Sequence, residues 1–439
     1  MRKRLKPFTL FLCIGIVLFM VFGWDVVQNR VGPGPGEQQA APEEWEGVIT
    51  LWDYPRPSLG DGSNFGWIRE RIREFEKANP GIFIELNPLD WEEGRIQLDL
   101  AVSYGTYPDI APVGGNLGYA GRGVLEPLDE FFIPDGQGGY LEYALKAVSH
   151  NGGIWGIPLY GAAPFMLLNL ESFERADIAP PENGRWTYEE FVAALQQLTL
   201  DGDNDGKPEQ YGFGSFVLNG YYNLWGILLS DGWDVCDPVT GRYTVNTPQA
   251  VSGLDKLTRL VHEYGVMHED VAVCPSARAW SAFALDESIA VYPEGAWAVE
   301  QLKALQSEGK GFEFGIAQYP TGERGVPVTV GDVAAYGVFR QRDPDRKRVC
   351  MEFIRHIVQS IKEQEVQNKG LLPVLRSYGE DRETPADTGS IIIIPRLENW
   401  AYVEDIINSH VRQALLGNEE PAEALEAAQR EIDILSQAE

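Results

Sequence analysis

Histidine, cysteine and basic side chains are all scarce in this 439-residue sequence, and each shortage removes a class of function. The five histidines, at 150, 262, 268, 356 and 410, show no metal-ligand spacing. Neither His-Glu-x-x-His nor Gly-x-Ser-x-Gly occurs, so zinc hydrolysis and a serine nucleophile elbow have no motif to rest on. The glycines at 118, 121 and 123 do not join a strand directly to a helix, so they make no nucleotide fingerprint. Against 65 acidic residues stand only 36 basic ones, a formal net charge of −29. Such a surface repels nucleic acid phosphates and anionic headgroups, so no nucleic acid partner is expected, and most of the acid reads as a solvated, solubilising face. There are four cysteines and no Cys-x-x-Cys. Cys13 lies in an N-terminal apolar run; of Cys236, Cys274 and Cys350, the first two form one candidate disulfide, and stability must come from apolar cores.

Apolar material is ample: hydrophobic residues make up 44%, with 12 Trp, 18 Tyr and 19 Phe. A chain of this length is expected to split into about two or three domains. At the N-terminus Arg2, Lys3, Arg4 and Lys6 precede an uncharged run over 8–23, the order of a secretory signal or membrane anchor. Asp25 follows Phe22-Gly23-Trp24 with no small-x-small cleavage site, and Phe11-Leu12 before Cys13 departs from a lipoprotein box. Residues 1–28 are therefore read as a signal or, in preference, a retained anchor, and 29–47, with Gly-Pro-Gly-Pro-Gly, as a flexible tether. The rest of the chain is expected outside the cell, held at the outer face of the cytoplasmic membrane or secreted.

Strands are expected at 48–52, 82–86 and 109–113, alternating with helices around 67–75 and 91–102, the second with Ile96 and Leu100 on its apolar side. Strand-helix-strand repetition implies a mostly parallel sheet. A short apolar strand at 155–159, bounded by glycines, runs on towards 165–168 and looks like a passage from one packed unit into another. The second unit opens with a helix over 186–198, Thr187 as N-cap and Glu190 as its capping-box partner. A strand at 288–292 leads to Glu294-Gly295-Ala296-Trp297, where a helix begins. Helices are expected over 391–413 and 421–436, the last highly charged and peripheral.

Several stretches carry a family resemblance: Asn79-Pro80-Gly81-Ile82, Tyr107-Pro108-Asp109-Ile110, Gly121 to Asp129, Gly153-Ile154-Trp155-Gly156-Ile157-Pro158, Trp186-Thr187-Tyr188-Glu189-Glu190-Phe191, Glu294 to Trp297, and Leu371-Leu372-Pro373-Val374-Leu375. In this order and spacing, over roughly 48–415, the chain resembles the extracellular solute-binding proteins of carbohydrate ABC importers, the maltose-binding-protein-like group. The resemblance implies an α/β periplasmic-binding-protein-like fold of two lobes joined by three hinge crossings, with a ligand cleft between them. Mapped here, lobe 1 takes 48–158 and 322–370, lobe 2 takes 163–316 and 376–439, and the crossings fall at 159–162, 317–321 and 371–375.

A sugar presents an apolar C–H face and a rim of hydroxyls, so its site needs flat aromatic rings beside paired polar side chains. The candidates at strand ends are Trp52, Asp53, Tyr54, Asn116, Tyr119, Tyr160, Trp225, Glu294, Trp297, Asp332 and Tyr336. Any of the aromatics has an alternative as core packing, and Glu294 and Asp332 as caps or turns. The run Asp201-Gly202-Asp203-Asn204-Asp205-Gly206-Lys207 resembles the start of a calcium loop, but its twelfth position is Gly212 instead of Glu. It reads first as an Asp/Gly turn, with structural calcium held by Asp201, Asp203 and Asp205 as the alternative. No cofactor is required. The expected function is non-enzymatic capture of a sugar or oligosaccharide by hinge closure and its delivery to ABC permease subunits, by a monomer. Alternatives are a sensor module for a membrane receptor, a cell-surface glycoside hydrolase or lyase, and a binding protein for a peptide or polyamine.

Overall fold

The computed structural model describes residues 45–56, 63–132, 139–237, 240–364, 374–375, 391–397 and 399–437, with the side chains of 362–364 excepted. Val48–Glu439 forms one compact unit; residues 1–47 form another, of which only 45–47 are described. The expected anchor and nearly all of the tether therefore lie outside the described residues. Among the described residues no helix is long and apolar enough to cross a membrane.

The compact unit is built on two sheets. The first begins with β1 (Gly47–Asp53), α1 (Gly66–Ala78), β2 (Ile82–Pro88), α2 (Gly94–Tyr104) and β3 (Ile110–Pro112), and later gains β4 (Ile157–Ala162). The second contains β5 (Phe165–Asn169), β6 (Tyr211–Phe213), β7 (Ile289–Glu294) and β8 (Phe314–Ala317). The chain then returns to the first sheet as β9 (Asp332–Val338), giving orders β2-β1-β3-β9-β4 and β8-β5-β7-β6. β1 and β3 are parallel, as the repeated strand-helix-strand pattern implies. The expectation of mostly parallel pairing needs correction further on: β9 runs antiparallel to both β3 and β4, and β5 antiparallel to both β7 and β8. These strands enter their sheets from the opposite end because the chain reaches them from the other lobe.

Each sheet buries its own apolar cluster. In the first, Leu98 and Val102 of α2 pack with Ala111, Val113, Leu125 and Phe339. In the second, a larger cluster joins Met166 and Leu168 of β5 to Phe191, Trp225, Trp233 and Leu254. Each fully buried large side chain of this kind contributes roughly 1.5–3 kcal/mol to stability. The capping box opens helix α3 (Tyr188–Leu198) as its sequence demands: the Thr187 side chain accepts from the Glu190 amide at 3.1 Å, and Glu190 accepts from the Thr187 amide at 2.8 Å.

Three local expectations change. α2 starts at Gly94, and its buried face is Leu98, Ala101 and Val102, leaving Ile96 and Leu100 more than half exposed; the apolar pattern is wider than the face that packs. Ile391 and Ile392 form a strand against Thr329–Val330, and the helix expected there, α4 (Trp400–Leu415), begins only at Trp400. The last helix, α5 (Pro421–Gln437), is not peripheral. Ala424, Leu425, Ala428 and Ile432 are buried in the second cluster, while its charges occupy the other face.

Candidate functional site

Strand direction decides which ends of the first sheet can face a ligand. β1 and β3 run parallel and end at Asp53 and Pro112. In β9, Tyr336 pairs with Pro112 and Val338 with Ile110, so residues 332–335 extend past the carboxyl end of β3. Asp332 pairs with Ala162 at the carboxyl end of β4. Asp53, Tyr160 and Asp332 thus share the carboxyl edge, where open α/β sheets place their ligand crevice. In the second sheet Glu294 closes β7 and pairs with Phe165, the first residue of β5. Only Ala163 and Pro164 separate β4 from β5, so the two edges adjoin.

At the first edge Asp53 is fully buried and holds Arg56, whose Nη2 and Nε lie 2.7 and 3.2 Å from its two oxygens. Arg56 also donates to the Tyr160 hydroxyl and lies 5.5 Å from the centroids of the Tyr160 and Tyr336 rings. Burial alone would disfavour the Arg56 cation; Asp53 more than offsets it, so the guanidinium stays charged. Tyr54 stacks on Trp91 at 4.4 Å between centroids, and burial pushes its phenol up to about 12. The Tyr119 hydroxyl donates to Asp99 at 2.6 Å.

At the second edge Glu294 accepts from the Gly295 amide at 2.8 Å and from Asn223 Nδ2 at 3.2 Å. Burial raises its pKa, while these donors and the Trp297 indole pull the other way. The Trp297 ring remains 40% exposed and leans on Trp280, 4.8 Å between centroids. Tyr221 is raised by burial and then by the nearby carboxylates of Glu294 and Glu92, one from each lobe.

The two sides are also joined directly. Arg95 of α2 reaches to 3.5 Å from the buried Glu404 of α4, whose other oxygen accepts from the Gly220 amide at 2.7 Å. Arg396 pairs with Asp332 at 3.1 Å and lies over the Tyr222 ring, while its backbone bridges to Asn116. Burial alone would disfavour the Arg396 cation; Asp332 first, with other neighbours, keeps it charged.

Most of the sequence candidates collect at these edges, with differing exposure. Asp53, Tyr54, Asn116, Tyr160 and Asp332 sit on the first, with Trp52 partly buried against the apolar cluster beneath it. Glu294 and Trp297 sit on the second. Trp225 does not join them: at 2% exposure it stacks on Trp233 and meets Tyr222 and Trp400 edge-on, so its ring packs in the second core and offers no face for stacking. Tyr336 and the Tyr119 ring are likewise buried, beneath the edge. Arg56, Trp91, Arg95, Tyr221, Arg396 and Glu404 went unread in the sequence. Trp91 alone carried a usable signal, an aromatic just past a strand end.

The acidic loop gathers Asp201 and Asp203 with Glu209, their carboxylate oxygens within 4.8 Å of one another. Asp205, expected among them, instead accepts from the Lys207 amide at 2.8 Å. Asp201 accepts from the Asp205 and Gly206 amides and Glu209 from that of Gly202, the bonding of a polar turn. Cys236 and Cys274 are both free thiols, so the candidate disulfide is not formed.

Two α/β lobes presenting polar and aromatic side chains to each other at adjoining sheet edges are the architecture of a two-lobed binding protein. Residues 70–389 match the family described as bacterial extracellular solute-binding protein, and the chain belongs to that family. A relative from Brucella abortus (strain 2308) is 24% identical over 392 residues, spanning 84% of this chain and 89% of its own. An ABC substrate-binding protein of Listeria monocytogenes in complex with cycloalternan shares the fold at a TM-score of 0.72 and 20% identity, covering 90% of this chain and 100% of that one. The maltose/maltodextrin-binding domain of Bdellovibrio bacteriovorus bound to maltotriose does so at 0.72 and 18%, covering 89% and 100%.

Proposed function

We propose that this chain is the substrate-binding component of an ABC importer, capturing a sugar or oligosaccharide between its lobes outside the cytoplasmic membrane and presenting it to permease subunits. The observation that carries this reading is the meeting of two ligand-type edges. Tyr160 and Asp332 at the end of the first sheet, and Glu294 with Trp297 at the end of the second, flank a boundary that the Arg95–Glu404 pair crosses. The oligosaccharides bound by the structural neighbours support the same ligand class.

In this reading the lobes are 48–158 with 322–370, and 163–316 with 376–439, and they close by bending at 159–162, 317–321 and 371–375. Ligand contacts to both edges exist together only when the lobes are closed, so binding shifts the population to that form. Tyr160, Asp332 and Glu294 take the hydroxyls, with Asp53 holding Arg56 in place behind Tyr160, and Trp297 takes a ring face. The chemistry is capture without turnover and needs no cofactor. The acidic loop is read as a hydrogen-bonded turn, with a structural calcium at Asp201, Asp203 and Glu209 as the alternative. The N-terminal run serves as an anchor.

The test is a thermal-shift screen against mono- and oligosaccharides, followed by small-angle scattering with the best hit. A ligand at a hundred times its dissociation constant stabilises by roughly 2.7 kcal/mol and should compact the protein. Unchanged dimensions at saturation, or release of reducing ends from the hit, would overturn the reading.

A further inference from the structure

The Tyr54–Trp91 pair is built as a platform. The two rings are nearly parallel, 10° apart with centroids at 4.4 Å. Behind Tyr54 lies Gly94: a Cβ there would stand 2.7 Å from Tyr54 Cε1 and 2.9 Å from Leu89 Cβ. The Tyr54 ring is therefore held between the Trp91 indole and the bare backbone of α2. The turn that carries Trp91 is pinned as well. Asp90 Oδ1 accepts from the amides of Glu92 and Glu93 at 2.9 and 2.7 Å, and the Leu89 amide donates to the Asp53 carbonyl at 2.8 Å, tying the turn to the end of β1.

Trp91 is nonetheless 56% exposed. Its indole has one face covered by Tyr54 and the rest open, an arrangement that core packing does not explain and that solvation alone disfavours. It also stands beside the boundary between the lobes. Arg95, one turn of helix on, reaches Glu404 of the second lobe at 3.5 Å, and Glu92, its chain neighbour, acts on Tyr221 of the second lobe together with Glu294. Trp297, the other half-open indole, lies near that same Glu294 and favours its charged form.

We propose that the open face of Trp91 seats the outermost unit of an oligosaccharide whose inner units lie at Glu294 and Trp297, making Trp91 the residue that sets ligand length preference. A pyranose presents axial C–H bonds to one side, and a rigid indole with one free face matches it without ordering cost. This rests on the carbohydrate reading above and narrows it to extended ligands.

The experiment is calorimetric titration of the wild type, W91A and W91F with malto-, manno-, xylo- and galacto-oligosaccharides of graded length, from the monosaccharide upward. In the series that the wild type binds, W91A should leave the shortest bound members within twofold and weaken the longer ones about five- to tenfold, with W91F largely restoring them. Melting temperatures of the free variants check that the fold is intact. Equal weakening at every length would make Trp91 a prop for Tyr54 and overturn the proposal, as would no weakening at any length. Failure of the wild type to bind any member would instead bring down the carbohydrate reading, and the platform with it.

Discussion

Arg95 Nη1 lies 3.5 Å from Glu404 Oε2, and the two residues belong to different lobes. Glu404 is fully buried, whereas the Arg95 side chain is 40% exposed, so solvent screens the attraction. Replacing Arg95 with Ala should favour the open form by only about 1 kcal/mol, weakening sugar binding about fivefold. Paired spin labels, one per lobe, should show a larger share of long distances in the ligand-free variant; identical distributions would remove Arg95 from closure.

Trp297 is 40% exposed and leans on Trp280, so truncation forfeits some packing as well as an open ring face. Trp297→Ala should destabilise the fold by about 1 kcal/mol while costing tenfold or more in affinity for the cognate sugar, a loss that the stability change does not account for. Equal affinity by calorimetry would show that the ring is not a ligand contact.

Gly94 has no room for a side chain, since the Tyr54 ring fills the place of its Cβ. Gly94→Ala should displace Tyr54, destabilise the fold by roughly 1–3 kcal/mol in urea unfolding, and weaken sugar binding in parallel. A variant with wild-type stability and affinity would mean that the stack gives way without consequence.

Burial raises the pKa of Glu294, so the folded protein disfavours its charged form. The associated stability is present below the unfolded value, roughly pH 4.3, and is lost as pH rises through the folded one. Glu294→Gln removes that dependence. Stability measured against pH should therefore shift in favour of the variant on going from pH 4 to 8; parallel curves would show that Glu294 titrates normally.

The loop around Asp203 already satisfies its carboxylates from backbone amides. A chelator should accordingly move the melting temperature by less than about 1 °C. A rise in millimolar calcium that Asp203→Asn abolishes would assign an ion to the loop.

What the sequence made legible was local or directional. The Thr187–Glu190 capping box and the passage into β5 depend on residues close in the chain, and strand ends locate the crevice by a rule of strand direction. The cross-lobe contacts were not legible, because nothing near Arg95 in sequence points to Glu404, nor anything near Asp332 to Arg396. Burial was equally hidden. Trp225 and Trp297 look alike as letters, yet one is walled in by Trp233 and Trp400 while the other stays half open. Ile96 and Leu100 mislead for the same reason, since helical spacing identifies an apolar stripe without saying how much of it finds a partner.

Because Ala163 and Pro164 are all that separates Ala162 from Phe165, three residue steps limit that gap to about 11 Å at full stretch. The sheets cannot drift far apart there. If the lobes close as proposed, this short link acts as a fulcrum: small angular changes at it become wide displacements at the distant rim, and a short swing would admit a long guest while the innermost contacts scarcely part.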